Sequence, residues 1–167
     1  MSKLIMDGPH EGKASLREVM GSYPTGVTIV AAREDGGLPF GLTINSFTSV
    51  SLDPPLVLIC IGHTSSCHDR LVSGSHFAVN VLAGDQSVIA SKFASDPSDG
   101  RFDSVEWSEG PSGAPLLEHA VAALECSIQE ILSGGDHSII LGRVTHATVS
   151  DRPALVFHRG RFSISGD

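Results

Sequence analysis

The sequence predicts an all-β domain, a small Greek-key barrel with short peripheral helices, and three observations carry that prediction. Short apolar or alternating runs such as "VTIVAA", "PLVLICIG" and "HFAVNVLAG" recur between clusters of turn residues. No long helical pattern and no internal repeat interrupts them. Closing such strands into a barrel removes their exposed edges, with a sandwich as the alternative. With 167 residues, 41% of them hydrophobic, the chain can build one domain around a sizeable core.

Residues 1–14 are polar and read as a flexible leader to a domain over 15–164. Ser15 is a candidate N-cap with Glu18 completing a capping box, and Pro24 and Gly26 stop the short helix that follows. Val27 to Val30 are strand formers, and "REDGGLP" supplies an Asp-Gly turn before a strand that starts at Phe40 or Gly41. Pro54 and Pro55 mark a turn or edge, after which the run Leu56 to Ile61 asks for burial on both faces. "SSCHDRLVSG" reads as a short helix capped by Ser65 and ended by Gly74, and "DQSVIASKFA" as another opened by Asp85.

From Ser95 to Pro115 the chain is rich in Pro, Gly, Ser and Asp, and Phe102, Val105 and Trp107 are expected to pin it as an ordered excursion. Strands return in the last third. Leu124, Cys126 and Ile128 share one parity while Glu125, Ser127 and Gln129 share the other, the pattern of a half-buried strand. "SGGDH" turns the chain into "SIILGRVTHATV", and "ALVFHRG" with "RFSIS" closes the series around Gly160.

The charge balance excludes some functions. With Lys+Arg 11 against Asp+Glu 19, the net charge of -8 repels nucleic-acid backbones, though a local pocket of amides and a few cations can still hold a cofactor phosphate. Cys60, Cys67 and Cys126 are odd in number and read as reduced thiols. No apolar run approaches a membrane span, so the expectation is a soluble, cytoplasmic protein.

The stretch "GLTINSFTSVS" alternates like a strand but puts hydroxyls and an amide where a core strand puts valines. If Leu42, Ile44, Ser46 and Val50 face the core, then Thr43, Asn45, Phe47 and Ser49 face a groove, where uncharged donors suit a flat heterocycle such as a flavin. A water-exposed Thr/Ser face fits the same letters equally well. Thr64, Ser65 and Ser66 open a predicted helix, where hydroxyls and free amides can hold a phosphate or act only as a cap. His63, Cys67 and His68 lack a second ligand cluster, so no metal site is expected. In "GGDH" the glycines allow a tight turn, Asp136 can accept from backbone amides, and His137 can approach a bound ring or remain a turn histidine. Neither GxGxxG nor GxxxxGK[ST] occurs in a fitting context, and GxSxG is absent.

Taken together, "SYPTGVTIVAA", "GLTINSFTSVSLDPPLVLICI", "HFAVNVLAGDQSVIASKFA", "GGDHSIILGRV" and "LVFHRGRF" resemble the flavin reductase-like family, over about Leu16 to Phe162. The resemblance implies an FMN-binding split barrel, a homodimer, and hydride transfer from NADH or NADPH to FMN or FAD. The reduced flavin then serves a separate flavin-dependent monooxygenase. By motif it assigns Thr43, Asn45, Ser46 and Ser49 to the flavin ring and ribityl chain, Ser65 and Ser66 to the flavin phosphate, and Lys92 and Phe93 to the further wall. His137, Arg161 and Phe162 match residues near the nicotinamide, and Ile44 and Thr64 complete the set from within the same motifs.

Two departures stand out: His63 where the family often has lysine, and Phe162 where it often has tyrosine. In such a site positioning supplies the rate, and no catalytic residue in the strict sense is expected. A split-barrel oxidase of the pyridoxamine-phosphate type and a non-enzymatic flavin-binding protein are the alternative readings. NADH is favoured over NADPH because the sequence shows no arginine cluster for a 2′-phosphate.

Overall fold

The computed structural model describes residues 15–34, 37–97 and 100–166. The expected leader over 1–14 and the Asp35-Gly36 turn lie outside the described residues. Three short helices, α1 (Leu16–Gly21), α2 (His68–Val72) and α3 (Ser87–Ser95), accompany twelve strands. These are β1 (Thr25–Gly26), β2 (Thr28–Arg33), β3 (Pro39–Ile44), β4 (Thr48–Leu52), β5 (Pro55–Gly62) and β6 (His76–Val81). After them come β7 (Trp107–Glu109), β8 (Pro115–Leu117), β9 (Ala122–Gly134), β10 (His137–Val149), β11 (Leu155–His158) and β12 (Arg161–Ile164). Among the described residues no helix is long and apolar enough to cross a membrane.

Seven strands form one antiparallel sheet in the order β3-β2-β6-β9-β10-β5-β4. Its two edge strands, β3 and β4, follow one another in the chain. Laid flat, such a sheet is about 29 Å across, whereas the step from Ile44 to Thr48 spans at most about 14 Å. The sheet therefore curls back toward itself, which gives the domain its split-barrel-like form. Ser46 helps hold the curl, because its hydroxyl donates to the Cys60 carbonyl (2.9 Å) and accepts from the Cys60 amide (3.1 Å). A second sheet, β1-β11-β12, and the β7-β8 pair complete the architecture.

β2 is the hinge between two cores, since strand alternation sends successive side chains to opposite faces. Val30 and Ala32 face one cluster with Phe40, Ile59, Phe77 and Ile140. Ile29 and Ala31 face the other with Leu82, Phe93, Phe102 and Leu155. Burial of this size is the main stabilising term, at about 25 cal/mol per Å² of apolar surface.

The capping box forms as expected: Ser15 caps α1 and the Glu18 carboxylate accepts from the Ser15 amide at 2.7 Å. The excursion is ordered over its described residues. Phe93, Phe102 and Trp107 stack edge to face at 4.9 and 5.8 Å, and buried Asn80 ties the segment to β6 through the Leu117 amide and the Pro115 carbonyl. A further anchor is buried Arg101, which donates to the Gly41 carbonyl at 2.6 Å and to the Asp96 carbonyl.

Other expectations need correction. The ribbon 41–51 is two strands separated by a bend at 45–47, with Val50 bulged out of the β4–β5 register and half exposed, while Phe47 packs toward the core. β5 buries only Val57, Ile59 and Ile61 fully, and among the described residues Leu58 and Cys60 on its other face are only partly covered. The N-cap position of α2 is Cys67 rather than Ser65, and that of α3 is Gln86 rather than Asp85, whose carboxylate pairs with Arg152. Glu125 is only 1% exposed, since the Gly110–Gly113 loop covers it and Ser112 donates to its Oε1 from its amide at 2.8 Å.

Candidate functional site

The bend at 45–47 interrupts β3 and β4 and so turns polar side chains away from either ladder. Two adjoining cavities open beside it. The smaller, about 680 Å³, is walled by Met20, Tyr23, Thr25, Thr28, Asn45, Ser46, Phe47 and Thr48, with no charged side chain among the described residues that line it. The larger, about 1280 Å³, is walled by α1, Asn45, His137, Phe157, Arg159 and Gly160. Asn45, Met20 and Tyr23 belong to both, so the two form one continuous cleft. Its dimensions exceed those of a typical small-ligand pocket, which suits two flat rings side by side.

Of the residues expected at the site, Asn45, Ser46 and His137 meet at this cleft. Thr43 stands behind it, donating its hydroxyl to the Ala90 carbonyl at 2.7 Å and so pinning α3 to β3. Ile44 is a core residue, whose carbonyl accepts from Thr28 Oγ1 at 3.1 Å. Phe93 is likewise fully buried, turned by α3 onto Phe102 in the second core. Ser49 is exposed on β4.

The serine loop lies apart from the walls of both cavities. The Ser65 amide donates to the Gly62 carbonyl at 3.0 Å, and Ser65 Oγ accepts from the Cys67 amide, so this turn satisfies itself. Thr64 and Ser66 are exposed. Lys92 reaches Ser104 Oγ. His63 and His68 stack edge to face at 5.1 Å, while His68 is engaged by Asp69 through Nδ1 (2.7 Å) and Ser138 through Nε2 (2.9 Å).

His137 follows a two-residue turn, with Gly135 at φ 74°, the left-handed region that glycine enters without cost. The Asp136 carboxylate accepts from His137 Nδ1 at 2.7 Å rather than chiefly from backbone amides, and the Asp136 carbonyl accepts from the His63 amide at 3.0 Å. That hydrogen bond and the imidazole's charge hold the Asp136 carboxyl below its usual range. Gly62 leaves room for the ring: a Cβ there would sit 3.5 Å from His137 Nε2.

At the tail, it is the turn rather than the strand after it that reaches the cleft. Arg159 and Gly160 line it together with Phe157, whereas Arg161 lies outside its walls and Phe162 packs behind Phe157 at 5.5 Å. Sequence reasoning also passed over Thr25. Its hydroxyl is buried in the cleft wall with no hydrogen-bond partner among the described residues, a cost of about 1–3 kcal/mol unless a ligand satisfies it. The signal was available in "SYPTG", where a polar β-branched residue sits between Pro24 and Gly26 at the cleft's rim.

This donor set fits a flavin: neutral hydroxyls and an amide around an uncharged slot, one of them unsatisfied, with an imidazole at the adjoining end. The family comparison agrees. The model of the flavin reductase like domain matches residues 20–165. A curated NADH-dependent FAD reductase of Streptomyces globisporus is 48% identical over 90% of this chain and 84% of its own length. The stachydrine N-demethylase reductase subunit Stc3 of Rhizobium meliloti is 40% identical over 89% of this chain, which spans only 64% of that relative. The chain spans about half of a probable flavin reductase from the same organism.

Among solved structures, the Streptomyces globisporus NADH:FAD oxidoreductase SgcE6, in complex with NAD and FAD fragments, superposes with a TM-score of 0.84 at 49% identity, over 89% of each chain. BorF, the flavin reductase component of a bacterial two-component tryptophan halogenase, gives 0.84 at 43% identity, over 91% of this chain and 97% of its own. The family model, the relatives and the shared fold lead to one conclusion: this chain belongs to the flavin reductase-like domain family.

Proposed function

We propose that this chain is an NAD(P)H-dependent flavin reductase that supplies reduced FMN or FAD to a separate monooxygenase. The observation that supports it most is the single cleft that puts an unsatisfied hydroxyl and neutral donors at one end and a carboxylate-held imidazole at the other. A flavin bound there supplies the hydride acceptor for a reduced nicotinamide. Thr25 Oγ1, the Asn45 amide and Thr48 grip the polar edge of the ring. Ser46, engaged with Cys60, keeps the bend in place rather than contacting the ligand. His137, with its Nδ1 proton held by Asp136, offers Nε2 to the nicotinamide carboxamide. These groups orient two rings, and none is asked to move a proton in the rate-limiting step. Ser65 and Ser66, with Thr64 beside them, remain the proposed contacts of the flavin phosphate, and Lys92 and Phe93 its further wall, by family motif.

The reading extends to a closed Greek-key split barrel over 15–164, a homodimer and a cytoplasmic location. A second copy is supported by α1, which buries none of its own side chains, and by the exposed Val50 and Leu52 on edge strand β4. Light scattering of the purified chain tests the dimer, and a strict monomer removes it. Anaerobic mixing with NADH and FMN or FAD tests the activity: bleaching of the flavin absorbance is expected. Flavin binding without bleaching would make this a flavin-binding protein, and tight flavin that reoxidises only against oxygen would make it an oxidase.

A further inference from the structure

The larger cavity is lined by two arginines from opposite ends of the chain, Arg17 on α1 and Arg159 at the β11–β12 turn. The fold packs their two segments against each other. The Arg159 amide donates to the Gly21 carbonyl at 2.9 Å, and its Nη2 reaches Ser22 Oγ at 3.5 Å, so the turn is docked on the end of α1. Arg159 holds φ at 48°, a left-handed conformation that a side chain as long as arginine rarely adopts.

Neither cation has a carboxylate counter-charge among the described residues. Arg33, Arg70 and Arg152 each pair with a carboxylate, but among the described residues Arg17 and Arg159 pair with none. Glu18 is the carboxylate in the same wall, and it already accepts from the Ser15 amide and hydroxyl at 2.7 and 3.0 Å. In a chain of net charge -8, the global field does not draw an anion to this place. A pair of forked guanidinium groups does, and phosphate is the anion whose geometry they match.

We propose that Arg17 and Arg159 form a clamp for the phosphates of the nicotinamide donor, while His137 receives its ring. The clamp rests on the flavin reductase reading. It is assigned to the donor rather than to the flavin because it shares a cavity with His137 and Phe157, whereas the walls of the adjoining slot, where the flavin ring is placed, hold no charge. The arginine pair invisible in the sequence is thus assembled by the docking of a C-terminal turn on an N-terminal helix.

The test uses Arg17→Gln, on an exposed helix position, and Arg159→Asn, a residue that tolerates a left-handed backbone. For each, kcat/KM is measured with NADH and with a phosphate-free donor, 1-benzyl-1,4-dihydronicotinamide, against both FMN and FAD. Binding of ADP-ribose and of adenosine to the full chain is measured by calorimetry at two salt concentrations. The expected result is a fall of about tenfold in the ratio of NADH to phosphate-free efficiency for each variant, about 1.4 kcal/mol. It comes with weaker ADP-ribose binding, steepest at low salt.

An unchanged ratio in both variants overturns the clamp, as does a loss seen with FAD but not FMN, which would give these arginines to the flavin's own adenylate. If the native protein oxidises neither donor, the reductase reading fails, and ADP-ribose binding still decides the clamp: binding no tighter than adenosine overturns it.

Discussion

The Nδ1 of His137 stands 2.7 Å from the carboxylate of its neighbour Asp136, and the pair is clamped from behind by the Asp136 carbonyl accepting the His63 amide. The pair orients the half-exposed imidazole at the cleft's edge. Replacing it, His137→Ala, is expected to raise KM for the nicotinamide donor about tenfold while KM for flavin and kcat change little, because a positioning contact is lost. Steady-state kinetics on both substrates checks this, and a collapse of kcat with KM unchanged contradicts it.

Gly62 offers a way to move the same ring without removing it. A Cβ at this position meets His137 Nε2 at 3.5 Å, ordinary contact, so Gly62→Ala should be tolerated. Gly62→Val adds branches that must displace the imidazole, and it should reproduce the donor KM of His137→Ala while leaving flavin affinity near native. Parallel titrations of the two variants measure this.

How much of this was legible in the sequence depends on what each residue touches. The α1 capping box, β2, β6 and the Gly160 turn follow from local chemistry, and each formed where expected. Glu125 could not be read, because its cover, the Gly110–Gly113 loop, arrives from a segment with no periodic pattern. Phe93 and Ile44 sit within motifs tied to cofactor binding, yet which face of an element turns inward is a tertiary outcome. Arg159 was hidden for the same reason: its partner helix is about 140 residues away in sequence. His137 and Asn45 were legible because a turn and a polar ribbon announce themselves locally.

Gly41 carries a stability prediction. A Cβ there would stand 2.6 Å from the Val30 carbonyl oxygen, backbone of the neighbouring strand, and the Gly41 carbonyl also receives Arg101. Gly41→Ala should destabilise by about 1–3 kcal/mol, lowering Tm by roughly 3–10 °C for a chain of this size. Calorimetry of the apo protein measures it, and an unchanged Tm contradicts the packing described.

The thiols should differ in reactivity. Burial, then the nearby Glu125 charge, pushes Cys126 up to about 12, so it stays a protonated, unreactive thiol at neutral pH. Since the folded pKa is raised, the stability this thiol contributes is fully present below about 9 and is lost as pH rises toward about 12. Alkylation followed by peptide mapping should label half-buried Cys60 first and reach buried Cys67 and Cys126 only on unfolding. Rapid native labelling of Cys126 would contradict this.

Two hydroxyls separate structure from ligand binding. Ser46→Ala removes both bonds to Cys60 and should cost about 1–3 kcal/mol of stability. Thr25→Val removes no bond among the described residues, so thermal stability should hold or rise while flavin Kd increases about five- to tenfold. A Thr25→Val protein that binds flavin as tightly as native removes Thr25 from the site.

The central claim is that one cleft, running from Thr25 past Asn45 to His137, seats the flavin ring beside the nicotinamide. A crystal structure of the protein with oxidised flavin and NAD⁺ measures it most directly. The account predicts the flavin's polar edge within hydrogen-bond reach of Thr25 Oγ1 and the Asn45 amide, with the nicotinamide against His137. A flavin ring bound elsewhere on the sheet, with Thr25 still unpaired, would contradict it.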